Sequence, residues 1–447
     1  NFMGFQVGYN ATTASETVAI GQQAIGLGVL TGIRNIAIGS SAGQDLTTGH
    51  TNVFAGYLAG ANVTTGTYNT AFNQALTGVL TGSHNIAVGL YAGASLTSGS
   101  FNTFLNNYAG QNITTGSYNF INGWQAGLNA TTPSHTIAIG YKAVGTGVLT
   151  GNNNVAIGQN AGEDLTSGTY NNFMGYNAGF NATTATNTVA IGTNAIGLGI
   201  ATGDGNVAIG VSAGNDLTSG GKNFFGGYAA GANVTTADDT IAIGQQAIGL
   251  GVLTGGENIA IGKEAGYDLT SGIRNVLTGR QAGYNLTTGS NNVFNGFQAG
   301  ALATTATATV AIGTQAISAG VLTGVSNVAI GNTAGNDLTS GTYNNFIGHA
   351  AGANATTADS NVAIGRQAIG LGLLTGTNNI AIGYQAGYDL TSGDYNILSG
   401  FQAGSNVTTG TGNIFQGNEA GEFATTASYG IAIGHTAIGS GVMTGDD

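Results

Sequence analysis

The fold is decided by the stretch NVAIGQNAGEDLTSGTY, which occupies residues 154–170. A short β-prone run at 154–157 ends at Gly158, a residue type that readily adopts positive φ. A second short run at 165–167 ends at Gly168. A helix is disfavoured here, because each interior glycine would cost it about 1 kcal/mol. Two short strands and their glycine turns within 17 residues predict one coil of a β-solenoid.

Variants of this stretch repeat along the chain, and we number each coil from the residue equivalent to Asn154. Successive coil starts lie 17 or 18 residues apart in nearly all cases, which divides the 447 residues into about 26 coils. A longer period of 52 residues, as from Thr136 to Thr188, groups coils into three-coil cassettes, some with one extra coil. We therefore predict one continuous repeat domain over residues 1–447, an all-β parallel β-solenoid (β-roll). With rungs about 4.8 Å apart, it would form a rod of about 125 Å.

Position 1 of most coils is asparagine, and stacked asparagines can hydrogen-bond to one another along a cross-β stack. We predict such an asparagine ladder, the alternative being that each residue serves only its own turn. The ladder candidates are Asn35, Asn52, Asn154, Asn206, Asn258, Asn327 and Asn379.

Positions 2, 3 and 4 form the predicted strand, so position 3 faces away from the other two. We expect the Ile and Val at positions 2 and 4 to fill the coil interior and position 3 to point outward. Position 3 is alanine in many coils and phenylalanine in Phe54, Phe104, Phe173, Phe225, Phe294, Phe346 and Phe415. An outward phenylalanine row needs a cover, which identical chains around a common axis would supply, and this predicts a homotrimeric fibre. The alternative is that the phenylalanine coils flip register and place the ring inside the coil core.

Composition argues against most chemical functions. The chain has 7 Lys and Arg, 19 Asp and Glu, a net charge of −12, five scattered His and no Cys. Disulfides and thiolate metal sites are therefore excluded, and the lack of a basic cluster argues against nucleic-acid binding. No apolar run reaches the length of a membrane span. We predict no catalytic, cofactor-binding or metal-binding residue, and no enzymatic activity.

Two surface patterns leave binding open. Position 11 alternates between Asp and Asn, which is typical of turn capping, and its Asn residues begin Asn-x-Thr sequons that a secretory host could glycosylate. Aromatic residues at position 6, such as Tyr57 and Trp124, would contact sugars or receptors if they point outward, or else pack against neighbouring coils.

The repeated Val/Ile-Ala-Ile-Gly, as at 189–192, 241–244 and 362–365, resembles the head repeat of YadA-type trimeric autotransporter adhesins. The resemblance implies a left-handed parallel β-roll with Val and Ile inside each subunit and the small residue near the trimer axis. The coils here are longer than in that family. With the segment Leu-Thr-Thr-Gly at 46–49, the longer pattern is similar to repeats of phage tail-fibre proteins. Both resemblances imply a rod that displays or reaches, and neither implies catalysis.

The expected function is the structural shaft of an extracellular trimeric fibre, on a virion tail or a bacterial surface, serving reach and attachment. Its expected partners are identical chains and a host-surface receptor or glycan, without nucleic acid, membrane contact or cofactor. The alternatives are a self-polymerising extracellular filament, or an ice- or glycan-binding solenoid that uses adjacent threonines such as Thr47 and Thr48. Because solenoids need caps and neither end shows one, we expect a longer parent protein.

Overall fold

A computed structural model describes residues 1–438 of the chain. These residues form a parallel β-solenoid with no helix among them, which confirms the predicted all-β class. The chain divides into two compact units, Asn1–Asn223 and Phe224–Asp447. Each coil contributes one strand of two or three residues.

In the first unit the strands are β1 Phe2–Met3, β2 Val18–Ile20, β3 Ile36–Ile38, β4 Val53–Ala55, β5 Thr70–Phe72, β6 Ile86–Val88, β7 Thr103–Leu105, β8 Phe120–Asn122, β9 Ile137–Ile139, β10 Val155–Ile157, β11 Asn172–Met174, β12 Val189–Ile191 and β13 Val207–Ile209. In the second they are β14 Phe224–Gly226, β15 Ile241–Ile243, β16 Ile259–Ile261, β17 Val276–Thr278, β18 Val293–Asn295, β19 Val310–Ile312, β20 Val328–Ile330, β21 Asn345–Ile347, β22 Val362–Ile364, β23 Ile380–Ile382, β24 Ile397–Ser399, β25 Ile414–Gln416 and β26 Ile431–Ile433. Within each unit, consecutive strands pair in parallel and in register, so equivalent positions stack in columns; Ala156, for example, pairs with Phe173.

The second predicted strand of each coil is not formed. Residues 165–167 lie in a bend, although the Thr166 backbone N–H and its hydroxyl both donate to the Thr183 carbonyl at 2.9 Å. Within 165–167 only Thr166 donates a backbone bond to the next coil, which is too short a run to give a strand. The prediction of two strands per coil is therefore wrong, but bonding between coils continues on this side.

The strand faces the opposite way from the prediction. Position 3 is the buried position: Ala156 and Phe173 are 0% exposed, whereas Ile157 at position 4 is 37% exposed. The interior is already occupied by Ala161 and Leu165 at positions 8 and 12, both 0% exposed, so alanine is the size that fits beside them. The placement of Val155 and Ile157 in the interior, from our own reasoning and from the adhesin resemblance, is wrong.

The predicted trimer-axis position of the phenylalanines is wrong for the same reason. All seven lie inside the coils at 0% exposure: Phe54, Phe104, Phe173, Phe225, Phe294, Phe346 and Phe415. The alternative, which placed the ring inside the coil core, is confirmed in that placement, but its cause, a flipped register, is wrong. Phenylalanine and alanine coils keep one register, and both place position 3 inside.

Core filling explains the cassettes. Coils differ in the pair of residues at positions 3 and 9: A-type coils have Ala and a branched aliphatic residue, B-type coils Ala and Gly, and C-type coils a large apolar residue and Gly. In three successive coils these pairs are Ala311 with Ile317, Ala329 with Gly335, and Phe346 with Gly352. The longer cassettes contain a second C-type coil, as where Phe294 follows Leu277.

The glycines at position 9 supply the space that the phenylalanine ring occupies. A Cβ added to Gly352 would lie 2.6 Å from Phe346 Cγ, and one added to Gly335 would lie 3.0 Å from Phe346 Cδ2 and 3.6 Å from Ile317 Cγ1. Ile317 adopts φ 47°, which is unusual for a β-branched residue, while its side chain is fully buried. The A-B-C order therefore alternates bulk between the two sides of the core.

Candidate interaction surface

The predicted asparagine ladder lies inside the coil wall. The Asn344 backbone N–H and Nδ2 both donate to Asn327 Oδ1, at 3.0 and 3.1 Å, and Nδ2 also donates to the Ala358 carbonyl at 2.6 Å. Position 1 is 0–1% exposed in Asn35, Asn52, Asn154, Asn206, Asn258, Asn327 and Asn379. In several A-type coils threonine replaces asparagine at position 1, and the backbone N–H continues the ladder, as where the Thr309 N–H donates to Asn292 Oδ1 at 3.0 Å. The ladder is therefore a buried structural network within the coil wall.

Positions 2 and 4 form two columns on the outer face of the strands, which we call the outward strip. Ile261, Ile330 and Ile382 are 41%, 36% and 41% exposed, and the corresponding residues of the first unit, such as Ile38, are similar. Stacking in register covers the two sides of each side chain that face neighbouring coils. The outer surface of each side chain remains open to solvent.

The area of the outward strip lies at the upper end of the range for exposed apolar patches. About twelve coils of one unit, at about 4.8 Å per coil and a width of roughly 10 Å, give roughly 600 Å². The largest apolar patch on a soluble monomer is typically about 300–600 Å². The standard contribution of one partner to a stable protein interface is about 800 Å². The strip of a single unit is thus close to the size of an interface.

An aromatic column borders the outward strip of the first unit, at the residue that precedes position 1. Tyr68, His84, Phe101, Tyr118 and His135 stack on consecutive coils, with ring centroids 4.8, 4.7, 4.9 and 5.0 Å apart. Neighbouring rings occupy each other's faces, and the edges point to solvent. A sugar ring that stacks on an aromatic face therefore finds no free face within the column.

The aromatic residues at position 6 behave similarly. Trp124 stacks on Tyr141 at 5.2 Å, and Tyr384 stacks on Phe401 at 5.2 Å with the Arg366 guanidinium 5.9 Å from the Tyr384 ring centre. These rings point outward and pack against neighbouring coils at the same time. The interpretation that these rings pack against neighbouring coils is confirmed. Their contact with sugars or receptors stays a prediction.

The adjacent threonines do not form one regular hydroxyl surface. The Thr47 hydroxyl donates to the Thr64 carbonyl at 3.1 Å, while Thr48 is exposed. The same bond recurs from Thr287 to Thr304 at 3.0 Å. One hydroxyl of each pair is therefore committed to the coil below or above it.

Position 11 has a role in turns between coils. The Asn354 Nδ2 donates to the Leu371 carbonyl at 2.9 Å, so this sequon asparagine supports the wider turn of the following A-type coil. Burial raises the pKa of Asp268 and Asp389, and burial together with the nearby Glu163 raises that of Asp164. Over residues 1–438, no group of three or more His, Asp or Glu is arranged to hold a metal ion. The same residues contain no helix long and apolar enough to cross a membrane.

These features define a β-solenoid repeat protein whose most distinctive surface is apolar. A scan of protein-family models finds no match to the chain, and a search of curated proteins finds none either. Reasoning from the sequence missed the outward strip because it placed Ile and Val inside. The reciprocal pairing of positions 3 and 9, Ala with Ile and Phe with Gly, was the signal that could have shown which face is the core.

Proposed function

We propose that the protein is a structural element of an extracellular fibre, in which three identical chains pack their outward strips together. Such a shaft would serve reach and attachment on a virion tail or a bacterial surface. The observation that carries the proposal is the outward strip itself, with Ile330 and its equivalents about 40% exposed coil after coil. The number of chains follows the resemblance to trimeric adhesins.

A second copy of the chain is the partner that fits the strip best. Its side chains repeat at the same spacing of about 4.8 Å, so the two rows can interdigitate along their whole length. Burying the open part of one isoleucine is worth about 1 kcal/mol. With two side chains per coil, one unit offers roughly 20 kcal/mol, against an association cost of about 4–15 kcal/mol.

The arrangement of polar groups supports a structural role. Asparagine side chains at position 1, threonine hydroxyls at position 13 and amides at position 7 bond from coil to coil, as in Asn344 to Asn327 and Gln298 to Gln281. Buried polar groups that are satisfied in this way make the coils rigid, because breaking any bond leaves an unpaired group. Rigidity is what a shaft requires.

Sedimentation equilibrium tests the proposal. We expect a mass three times that of the 44.0 kDa chain. The variant Ile330→Lys/Ile347→Lys places two charges in the strip and should be monomeric. The matched control Val321→Lys/Leu373→Lys changes side chains that are 53% and 59% exposed on the A-type turns, and should keep the mass of the unmodified protein. A monomeric unmodified protein, or equal effects of the two variants, would contradict the proposal.

A further inference from the structure

The outward strip of the second unit is interrupted by two polar bands. Position 4 is isoleucine in most of its coils, but Thr278 and Asn295 form one band on adjacent coils, and Ser399 and Gln416 form another. Five isoleucine coils separate the bands: Ile312, Ile330, Ile347, Ile364 and Ile382. Each band is thus two coils wide on a position 4 column that is otherwise isoleucine from Ile243 to Ile433. Gly226 precedes this stretch, and position 2 carries one further exposed polar residue, Asn345, between the bands.

In the described part of the chain, the amide side chains of these bands have donors and acceptors without hydrogen-bond partners. Asn295 and Gln416 are exposed, and within residues 1–438 neither amide bonds to another part of the chain. Other stacked amides of the same unit do pair, since Gln298 Nε2 donates to Gln281 Oε1 at 3.0 Å and Gln315 Nε2 to Gln298 Oε1 at 3.2 Å. The amides on the strip face outward with their donors and acceptors free.

We propose that the two polar bands fix the register in which identical chains pack, with each band against the same band of its neighbours. This inference rests on the proposed function. In a three-fold assembly the chains are necessarily parallel. When the chains are not staggered, Asn295 meets Asn295 and its amide is satisfied across the interface. A single buried asparagine specifies alignment in coiled coils by the same physics.

A staggered assembly loses these bonds. A shift of one to six coils places at least part of a band against isoleucine, and each amide buried without a partner costs about 1–3 kcal/mol. A shift of seven coils brings one band onto the other, because that is their spacing. It also leaves about half of the unit's strip uncovered. The unstaggered register is the only one that pairs both bands and covers the strip.

Disulfide trapping tests this register, since the chain has no cysteine of its own. The variants Ile312→Cys and Ile347→Cys, one carrying a size tag, are mixed, assembled and oxidised. Positions two coils apart are separated by about 9.6 Å, beyond the disulfide range, so a mixed product requires a stagger. We expect self-linked products of each variant, with the mixed product at least about tenfold weaker. A mixture of Ile312→Cys with Ile382→Cys detects antiparallel packing, which would link these two positions.

The bands are then removed with Thr278→Val, Asn295→Ile, Ser399→Val and Gln416→Ile in the same backgrounds. We expect the mixed product to rise until it approaches the self-linked product, with the assembly retained. The control Asn295→Gln/Gln416→Asn keeps the bands polar and should keep the register. Three results would overturn the inference. The first is equal amounts of mixed and self-linked product in the cysteine variants with intact bands. The others are a link between positions 312 and 382, and a register that is unchanged when the bands are removed. A monomeric mass with no linked product would instead refute the proposed function.

Discussion

The reciprocal filling of the core by positions 3 and 9 can be tested by exchanging one coil type for another. Phe346→Ala removes a fully buried ring, and such truncations cost about 3–5 kcal/mol of unfolding free energy. Gly352→Ile adds bulk where a Cβ alone would lie 2.6–2.7 Å from three carbons of that ring. We expect this overpacking to cost about 1–3 kcal/mol.

The double variant Phe346→Ala/Gly352→Ile converts the coil to the filling of an A-type coil. Isoleucine at this position already occurs at Ile317 with φ 47°, close to the φ 59° of Gly352, so the backbone accepts it. We expect the double variant to be more stable than the sum of the single effects predicts, with a coupling of about 2–3 kcal/mol.

Hydrogen exchange of the amides in residues 327–378 measures this coupling locally, which matters because a repeat protein need not unfold as one unit. The control Phe346→Leu reproduces a side chain that C-type coils already use, as at Leu277 and Leu398, and should cost less than Phe346→Ala. Additive costs in the double variant would mean that the two positions do not share one space, and the core-filling explanation of the cassettes would be wrong.

Three further predictions concern single positions. Asn344→Leu leaves the Asn361 N–H and the Ala358 carbonyl without their hydrogen-bond partner and should cost about 3 kcal/mol or more of unfolding free energy. Hydrogen exchange of the adjoining coils measures this loss, and unchanged exchange rates would refute the stabilising role of the ladder. Asp389→Asn should raise the melting temperature at pH 7, and the difference from the unmodified protein should shrink towards pH 3. Burial raises the pKa of the Asp389 carboxyl in the folded state, so the unmodified protein gains stability as that carboxyl is protonated. A difference in melting temperature that grows on acidification would contradict this sign. Gly348→Ala places a methyl group against the Gly365 carbonyl oxygen at a residue with φ 138°, and should cost about 2 kcal/mol or more of unfolding free energy. The control Gly205→Ala, with no atom closer than 3.7 Å to the added Cβ, should cost less. Equal decreases in melting temperature would contradict the role of close packing.

The sequence allowed the repeat and its class to be predicted, because glycine spacing and coil length are local properties. It also predicted the stacking of position 1, where Asn344 and Asn327 bond as a ladder requires. The facing of the strand could not be read from alternation alone, since alternation separates the two faces without saying which is the core. The volume available beside Ala161 and Leu165 decides that question, and it depends on how the whole coil closes.

The error had a direct consequence for the candidate surface. A phenylalanine such as Phe173 was expected at an interface and lies in the core, while Ile157, expected in the core, lies on the outside. An exposed apolar surface is still present on the strand, but it consists of the aliphatic residues at positions 2 and 4 and not of the phenylalanines. The polar bands acquire significance only with that facing, because Asn295 then interrupts an exposed strip.

The central claim is that position 3 faces inward and positions 2 and 4 face other copies of the chain. Thiol labelling of three single variants on two neighbouring coils tests this claim most directly: Ala329→Cys, Ile330→Cys and Val321→Cys. We predict that the first resists labelling at every protein concentration, the third reacts at every concentration, and Ile330→Cys reacts when dilute and is protected as the chains assemble. Labelling of Ile330→Cys that stays as slow as that of Ala329→Cys on dilution, or as fast as that of Val321→Cys on concentration, would contradict the account.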